Sequence, residues 1–177
     1  MLDIVQQTIN FYFKYLRAPR IEELEIKNKK LLDRKWSIFV TLYVFWVIKW
    51  SAWNIKEIEE NIVLEIIANT IYALTKDSRF DRIEASDKEN IKIRIDEIAY
   101  RWKPLSDWMI DNVDPLKRGV IVIKSDYMKS ATILPNISGK IMNWEDFEPV
   151  LSKKLSEKFD DKDYLVYEIR TDKETNL

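Results

Sequence analysis

The chain reads as an α+β protein: a largely antiparallel or mixed sheet flanked by helices, with room for two unequal lobes and a cleft between them. Three observations carry this. The elements fall in the order α, β, (β), α, β, β, β, α, β, without the regular alternation of a parallel βαβ fold. The run Ile91-Lys-Ile-Arg-Ile-Asp96 alternates strictly, which predicts a strand with one buried and one charged face. At 177 residues the length suits one domain spanning 1–177, with a core over 5–170 and a charged tail over 171–177.

Each element has its own signature. Ile4, Val5, Thr8, Ile9, Tyr12, Phe13 and Leu16 recur at three- and four-residue steps, so residues 4–16 form a helix with one apolar stripe, ended by Pro19. Residues 36–46 are apolar on both alternating sets, which places that strand in the core on both faces or at a subunit contact. Residues 48–53 are its candidate hairpin partner, although no Asn-Gly or glycine-rich turn marks the reversal. Asn54 as N-cap and Glu57 at N3 resemble a capping box that opens a long helix reaching Thr75. Residues 77–87 are a polar turn region, and the strand from Ile91 extends to Tyr100 or Trp102. Residues 104–115 connect onward, with one short helix around 106–110. Gly119 to Ile123 and Ser130 to Leu134 are strands joined at Ser125-Asp126. Residues 144–159 are mostly helical. Pro149 tolerates only a first turn, so the regular helix starts at Asp146. Tyr164 to Ile169 is the last strand, and the tail after Arg170 is expected to fray.

Composition excludes several chemistries. The chain has no cysteine and no histidine, which removes disulfides, thiolate nucleophiles, zinc–thiolate sites and histidine triads. Only two glycines occur, Gly119 and Gly139, too few for a glycine-rich phosphate loop. No cofactor and no metal are expected. A net charge of −1 argues against nucleic acid and anionic membranes as partners. The basic run Lys27, Lys29, Lys30, Arg34 and Lys35 is read as a solvated loop face rather than a nucleic-acid patch. No apolar run approaches the roughly 18 residues of a membrane span. The first residues lack a signal-peptide pattern, so a cytoplasmic location is expected. Abundant Ile, Lys and Glu give the composition a thermophile-like cast.

Several segments, taken in order, resemble the AMMECR-type domain family, named for a human chromosomal candidate-region protein. They are Phe39-Val-Thr-Leu42, Asp77-Ser-Arg-Phe80, Ile91-Lys-Ile-Arg-Ile-Asp96, Gly119-Val-Ile-Val122 and Ser130-Ala-Thr-Ile-Leu-Pro135, followed by Trp144. Each is short, but their order and spacing match from about Val5 to Arg170. The departure is sharp. Where the family pattern carries Leu-Arg-Gly-Cys-Ile-Gly, this chain reads Ile48-Lys-Trp-Ser-Ala-Trp53, with Ser51 or Ala52 at the cysteine and indoles at the glycines. Glycine permits positive φ and close backbone approach, and tryptophan permits neither cheaply. The resemblance also implies a pathway shared with Memo-type and radical-SAM proteins, beside whose genes the family's genes often lie.

The candidate cleft residues are therefore Lys49, Trp50, Ser51, Trp53, Asp77, Arg79, Lys129 and Ser130. Trp50 and Trp53 are read as packing against the sheet, as a partner contact, or as the wall of an aromatic small-ligand pocket. Arg79, with Lys49, could hold an anion, and Asp77 with Arg79 could equally be a turn-stabilising pair. A Ser51–Lys49 dyad needs a desolvated, neutral lysine, for which the sequence supplies no cause. Glu57, Glu59 and Glu60 belong to a first helical turn rather than a metal site. The leading expectation is an altered-site domain acting through a protein or small-ligand contact. The alternative is an enzyme on the same fold that handles an anionic small molecule through the Lys/Ser/Arg/Asp cleft. A homodimer is expected, with the doubly apolar strand and the aromatic junction supplying its surface.

Overall fold

A computed structural model describes residues 1–52, 57–75, 83–105, 110 and 112–177, with the backbone alone for 49–52 and 100–104. The chain divides into two compact units, Met1–Glu97 with Lys173–Leu177, and Ile98–Asp172. The elements are α1 (Leu2–Tyr15), β1 (Ile38–Val44), β2 (Val47–Ala52), α2 (Ile62–Thr75), β3 (Ile91–Pro104), β4 (Gly119–Lys124), β5 (Ser130–Ile133), α3 (Phe147–Leu155) and β6 (Tyr164–Thr175). The six strands form a sheet in the order β2-β1-β3-β6-β4-β5. The β1–β2, β1–β3, β4–β5 and β4–β6 pairings are all antiparallel. This is the expected α+β fold.

In the first unit, α1 and α2 cover one face of β1. Ile38, Val40, Leu42 and Val44 point into a core shared with Ile4, Val5 and Ile9 of α1 and with Ile62, Val63 and Ile66 of α2. All seven residues of β1 are buried, so the strand is enclosed on both faces within a single chain. Burial within the chain accounts for these seven residues without a subunit contact, while Trp36, Phe45 and Trp46 of the same run are exposed.

Helix α1 stops before Pro19. Leu16 takes a left-handed φ of 55° and its N–H closes on the Tyr12 carbonyl at 2.7 Å, which terminates the helix by a capping turn. Helix α2 begins seven residues later than the first capping signal. Asn61, not Asn54, supplies the cap, its Oδ1 accepting the Leu64 N–H at 3.0 Å. Asn54 lies outside the described residues. Glu57, Glu59 and Glu60 precede the helix rather than opening it. The carboxylate that matters is Glu65. It is buried and accepts the N–H groups of Ile58 and Glu59 at 3.1 and 3.0 Å, which holds that segment against the first turn.

The β1–β2 reversal is made by Phe45 and Trp46 alone, at φ 49° and 67°. Two successive positive-φ residues closed by the Val44–Val47 pair follow the pattern of a type I′ turn. Aromatic residues are an unexpected choice there, because Cβ crowds the backbone in this region at about 1–2 kcal/mol per residue.

The second unit is built on β4, β5 and α3. Val120, Val122, Ala131 and Ile133 of the hairpin pack with Phe147, Leu151 and Leu155 of α3. Asp146 precedes α3 and its Oδ2 accepts the Met142 and Asn143 N–H groups. Trp144 meets Phe147 and Phe159 edge-on, with ring centroids 5.6 and 6.2 Å apart. The short helix expected around 106–110 falls mostly outside the described residues.

The expected frayed tail is instead strand. β6 runs to Thr175, whose Oγ1 donates to the Ile93 carbonyl at 3.0 Å, and Asn176 Oδ1 accepts the Ile93 N–H at 2.6 Å. Alternating charge in this segment leaves its backbone free to pair, which outweighs the low hydrophobicity.

Gly119 sits where a side chain has no room. A Cβ there would lie 2.2 Å from the Ile133 carbonyl oxygen and 2.9 Å from the Pro135 ring. Gly119→Ala is expected to destabilise the protein by about 2 kcal/mol or more, and Asn61→Ala by about 1 kcal/mol, both measured by denaturant unfolding. Trp46→Gly is expected to raise stability by about 1 kcal/mol, since it relieves the left-handed turn.

Candidate functional site

Strand β2 carries three of the sequence-identified candidates in succession, Lys49, Trp50 and Ser51. Its ladder with β1 is regular from Ala52 to Trp50, then slips. Leu42 pairs with Trp50 and Tyr43 with Ile48, so Lys49 has no partner in the register. A bulge of this kind re-aims the chain locally and strengthens its twist. It falls on Lys49, which the resemblance matches to the family's arginine when Ser51 stands at the cysteine.

The next row places Ser51 in a defined context. Ser51 pairs with Thr41, and Thr41 pairs with Arg94 of β3. With Ser51 at the place of the family cysteine, that position shares a cross-strand row with a buried arginine; with Ala52 there, the row is Val40 and Ile95. Arg94 and Asp96 lie two apart on β3, at 2% and 0% exposure. Arg94 donates from Nε to Asp96 Oδ2 at 2.6 Å and from Nη2 to Oδ1 at 2.8 Å, a bidentate charge-assisted pair. Arg94 also hydrogen-bonds the Tyr43 phenol. Burial opposes the guanidinium charge, but the Asp96 hydrogen bonds and charge override it, so the Arg94 pKa is raised. Burial likewise pushes the Tyr43 phenol up, with Arg94 offsetting part of the effect.

This corrects the expectation of one buried and one charged face on β3. Both faces are buried from Ile91 to Asp96 except at Lys92, which is half-buried. The signal for it was present: opposite charges at i and i+2 of a strand point the same way and can neutralise each other.

Lys129 and Ser130 belong to the second unit. Lys129 Nζ pairs with Glu157 Oε2, and Lys124 Nζ reaches Glu157 Oε1 at 2.6 Å. Tyr164 donates its phenolic proton to the same carboxylate at 2.5 Å. Hydrogen bonds from Lys124, then Lys129 and Tyr164, hold the Glu157 carboxyl down at about 2. Sequence reasoning missed Glu157. Ser130 is exposed and opens β5 opposite Ile123. Trp53, Asp77 and Arg79 lie outside the described residues.

The basic run at 27–35 contributes Lys27 and Arg34 to a pocket of about 290 Å³ in the first unit. Arg34 is paired with Glu97, and the Met1 ammonium with Glu174 and Asp3, so this lining offers an anion little net field.

The fold and this buried polar face define an α+β protein of two compact units built on a six-stranded sheet. The AMMECR1 family pattern matches residues 2–167, and the chain belongs to that family. A protein of Thermotoga maritima is 30% identical over 134 residues, covering 75% of this chain and 73% of its own length. Protein CA_C1420 of Clostridium acetobutylicum is 31% identical over 134 residues, which are 75% of this chain but 27% of that longer protein. The crystal structure of the uncharacterised protein PH0010 from Pyrococcus horikoshii superposes at a TM-score of 0.79, covering 96% of this chain and 86% of its own. At 18% identity that likeness shows the fold alone. No helix among the described residues is long and apolar enough to cross a membrane.

Two outcomes test this chemistry. Asp96→Ala should cost about 3–5 kcal/mol by leaving a buried guanidinium uncompensated, whereas the joint Arg94→Met, Asp96→Leu change should cost far less. Glu157 is depressed from its ordinary 4.5 to about 2, so its contribution is complete above 4.5 and is lost as pH falls toward about 2. The stability gap between the native protein and Glu157→Gln, followed by thermal unfolding across that range, should close on acidification.

Proposed function

We propose that this AMMECR1-family chain is an altered-site member that acts by contact with a protein or small ligand rather than by catalysis. The observation that carries the reading is the pairing of charged groups inside each of the two units. Arg94 spends its bidentate capacity on Asp96, and Lys129 is engaged by Glu157. Groups committed to internal carboxylates are poor substrate clamps, because a substrate must first displace the pairing. The junction itself lacks the cysteine and both glycines of the resembled pattern, and no histidine exists to activate Ser51. We also propose that the protein self-associates, with the aromatic-rich hairpin as the supporting feature, and that it works in a pathway with Memo-type and radical-SAM proteins.

The enzyme alternative requires an anion to bind. A ligand at about 100 times its Kd adds about 2.7 kcal/mol of stability, worth several degrees in a chain of this size. Phosphate, nucleotides and small carboxylates should leave the unfolding temperature unchanged in thermal-shift measurements. A rise that Lys49→Ala or Arg79→Ala abolishes would identify an anion as a ligand of these residues, and consumption of that anion would replace the binding reading with the enzymatic one.

A further inference from the structure

We infer that the tip of the β1–β2 hairpin is the surface through which two copies of this chain meet, an inference that rests on the self-association proposed above. Phe45, Trp46 and Val47 are consecutive, and they are 65%, 71% and 57% exposed. Large apolar residues exposed together, one of them tryptophan, have the composition of an interface anchor.

The backbone gives an independent reason. Both Phe45 and Trp46 hold a left-handed conformation that Asn-Gly adopts without strain. Two aromatic rings therefore sit where local stability disfavours them, and neither is buried in the fold. Strain at an exposed, apolar position is evidence for a role outside the folding of the single chain.

The other exposed hairpin tip differs. Tyr127 and Met128 are flanked by Asp126 and by Lys124 and Lys129, and only Tyr127 is left-handed. That is the composition of a solvated turn. Between Ile38 and Ala52, by contrast, the only charge is Lys49 and there is no acid. Two such hairpins can approach about a two-fold axis with little charge to desolvate.

The mode of contact follows from the edge. Lys49 breaks the β2 register and carries a charge there, and both features disfavour extending the sheet from one copy to the next. The contact is made by side chains at the tip. The three residues expose roughly 400 Å² per copy, about half of the ~800 Å² per partner in a standard interface. The dimer is accordingly weak and reversible, in the class of small transient interfaces.

The experiment is sedimentation equilibrium of the full chain from about 1 to about 200 μM, with the native sequence, the pair Phe45→Asn with Trp46→Gly, and the pair Tyr127→Ser with Met128→Ser. The native chain and the second pair should dimerise alike. The Asn-Gly variant should weaken dimerisation at least about tenfold while its unfolding temperature stays level or rises, which separates loss of contact from loss of fold. A native chain that is monomeric throughout overturns the self-association reading and this inference together. A dimer indifferent to the Asn-Gly change overturns the tip alone. A monomer that instead sediments with phosphatidylcholine vesicles, in a manner the Asn-Gly change abolishes, reassigns the tip to a lipid interface and overturns the inference.

Discussion

Enclosing β1 on both sides is the constraint from which the rest of the structure follows. A strand with seven buried residues and neighbours on each edge needs two different coverings. On one face the answer is hydrophobic: α1 and α2 bring isoleucine, valine and leucine against Ile38, Val40, Leu42 and Val44. On the other face the strand carries Phe39, Thr41 and Tyr43, and its neighbour β3 brings Arg94 and Asp96. Two charges can be buried there because each satisfies the other through two hydrogen bonds, with Tyr43 meeting the guanidinium as well. Such a pair adds little net stability over a well-packed apolar one, but it makes register errors expensive. A one-residue slip of β3 would place isoleucines on the polar face and leave the charges facing the helices.

The second covering explains the character of the junction. Ser51 and Thr41 sit in the Arg94 row, so one strand lies between Ser51 and a fixed positive group. Here that group is already neutralised. Bulge, buried ion pair and edge strand come together in a few residues, a concentration of irregular features more usual at working sites than in plain cores. The family has kept its scaffold in this chain while the chemistry beside it is internally paired.

Much of the fold was legible because burial imposes periods. The stripe at Ile4, Val5, Ile9 and Tyr12 survives in the structure, and the segment from Ile91 is a strand as its alternation predicts, with both faces buried. What was misread involves groups whose state depends on partners far away in sequence. The charges at 94 and 96 read as a solvated face, since no local pattern says that they form a buried, bidentate ion pair. Asn54 and Asn61 are equally good caps in isolation. The choice between them is made by Glu65, whose buried carboxylate needs the Ile58 and Glu59 N–H groups and so prevents them from entering a helix. The Phe45-Trp46 reversal carries none of the usual turn residues and was invisible to that chemistry. Of the candidate site, the Lys49–Ser51 segment lies on an edge strand. Glu157, which engages Lys129, could be found only from the fold.

The closing strand has a consequence for how the chain is assembled. The first unit draws Lys173–Leu177 from far beyond the segment that forms the second. During synthesis its β3 edge near Ile93 therefore emerges long before the residues that hydrogen-bond it, Thr175 and Asn176, leave the ribosome. The whole second unit is made in the interval. Vectorial synthesis thus holds the first unit incomplete, with an unpaired edge available to other chains, until residues 173–177 have emerged. The last strand acts as a timing element as much as a structural one.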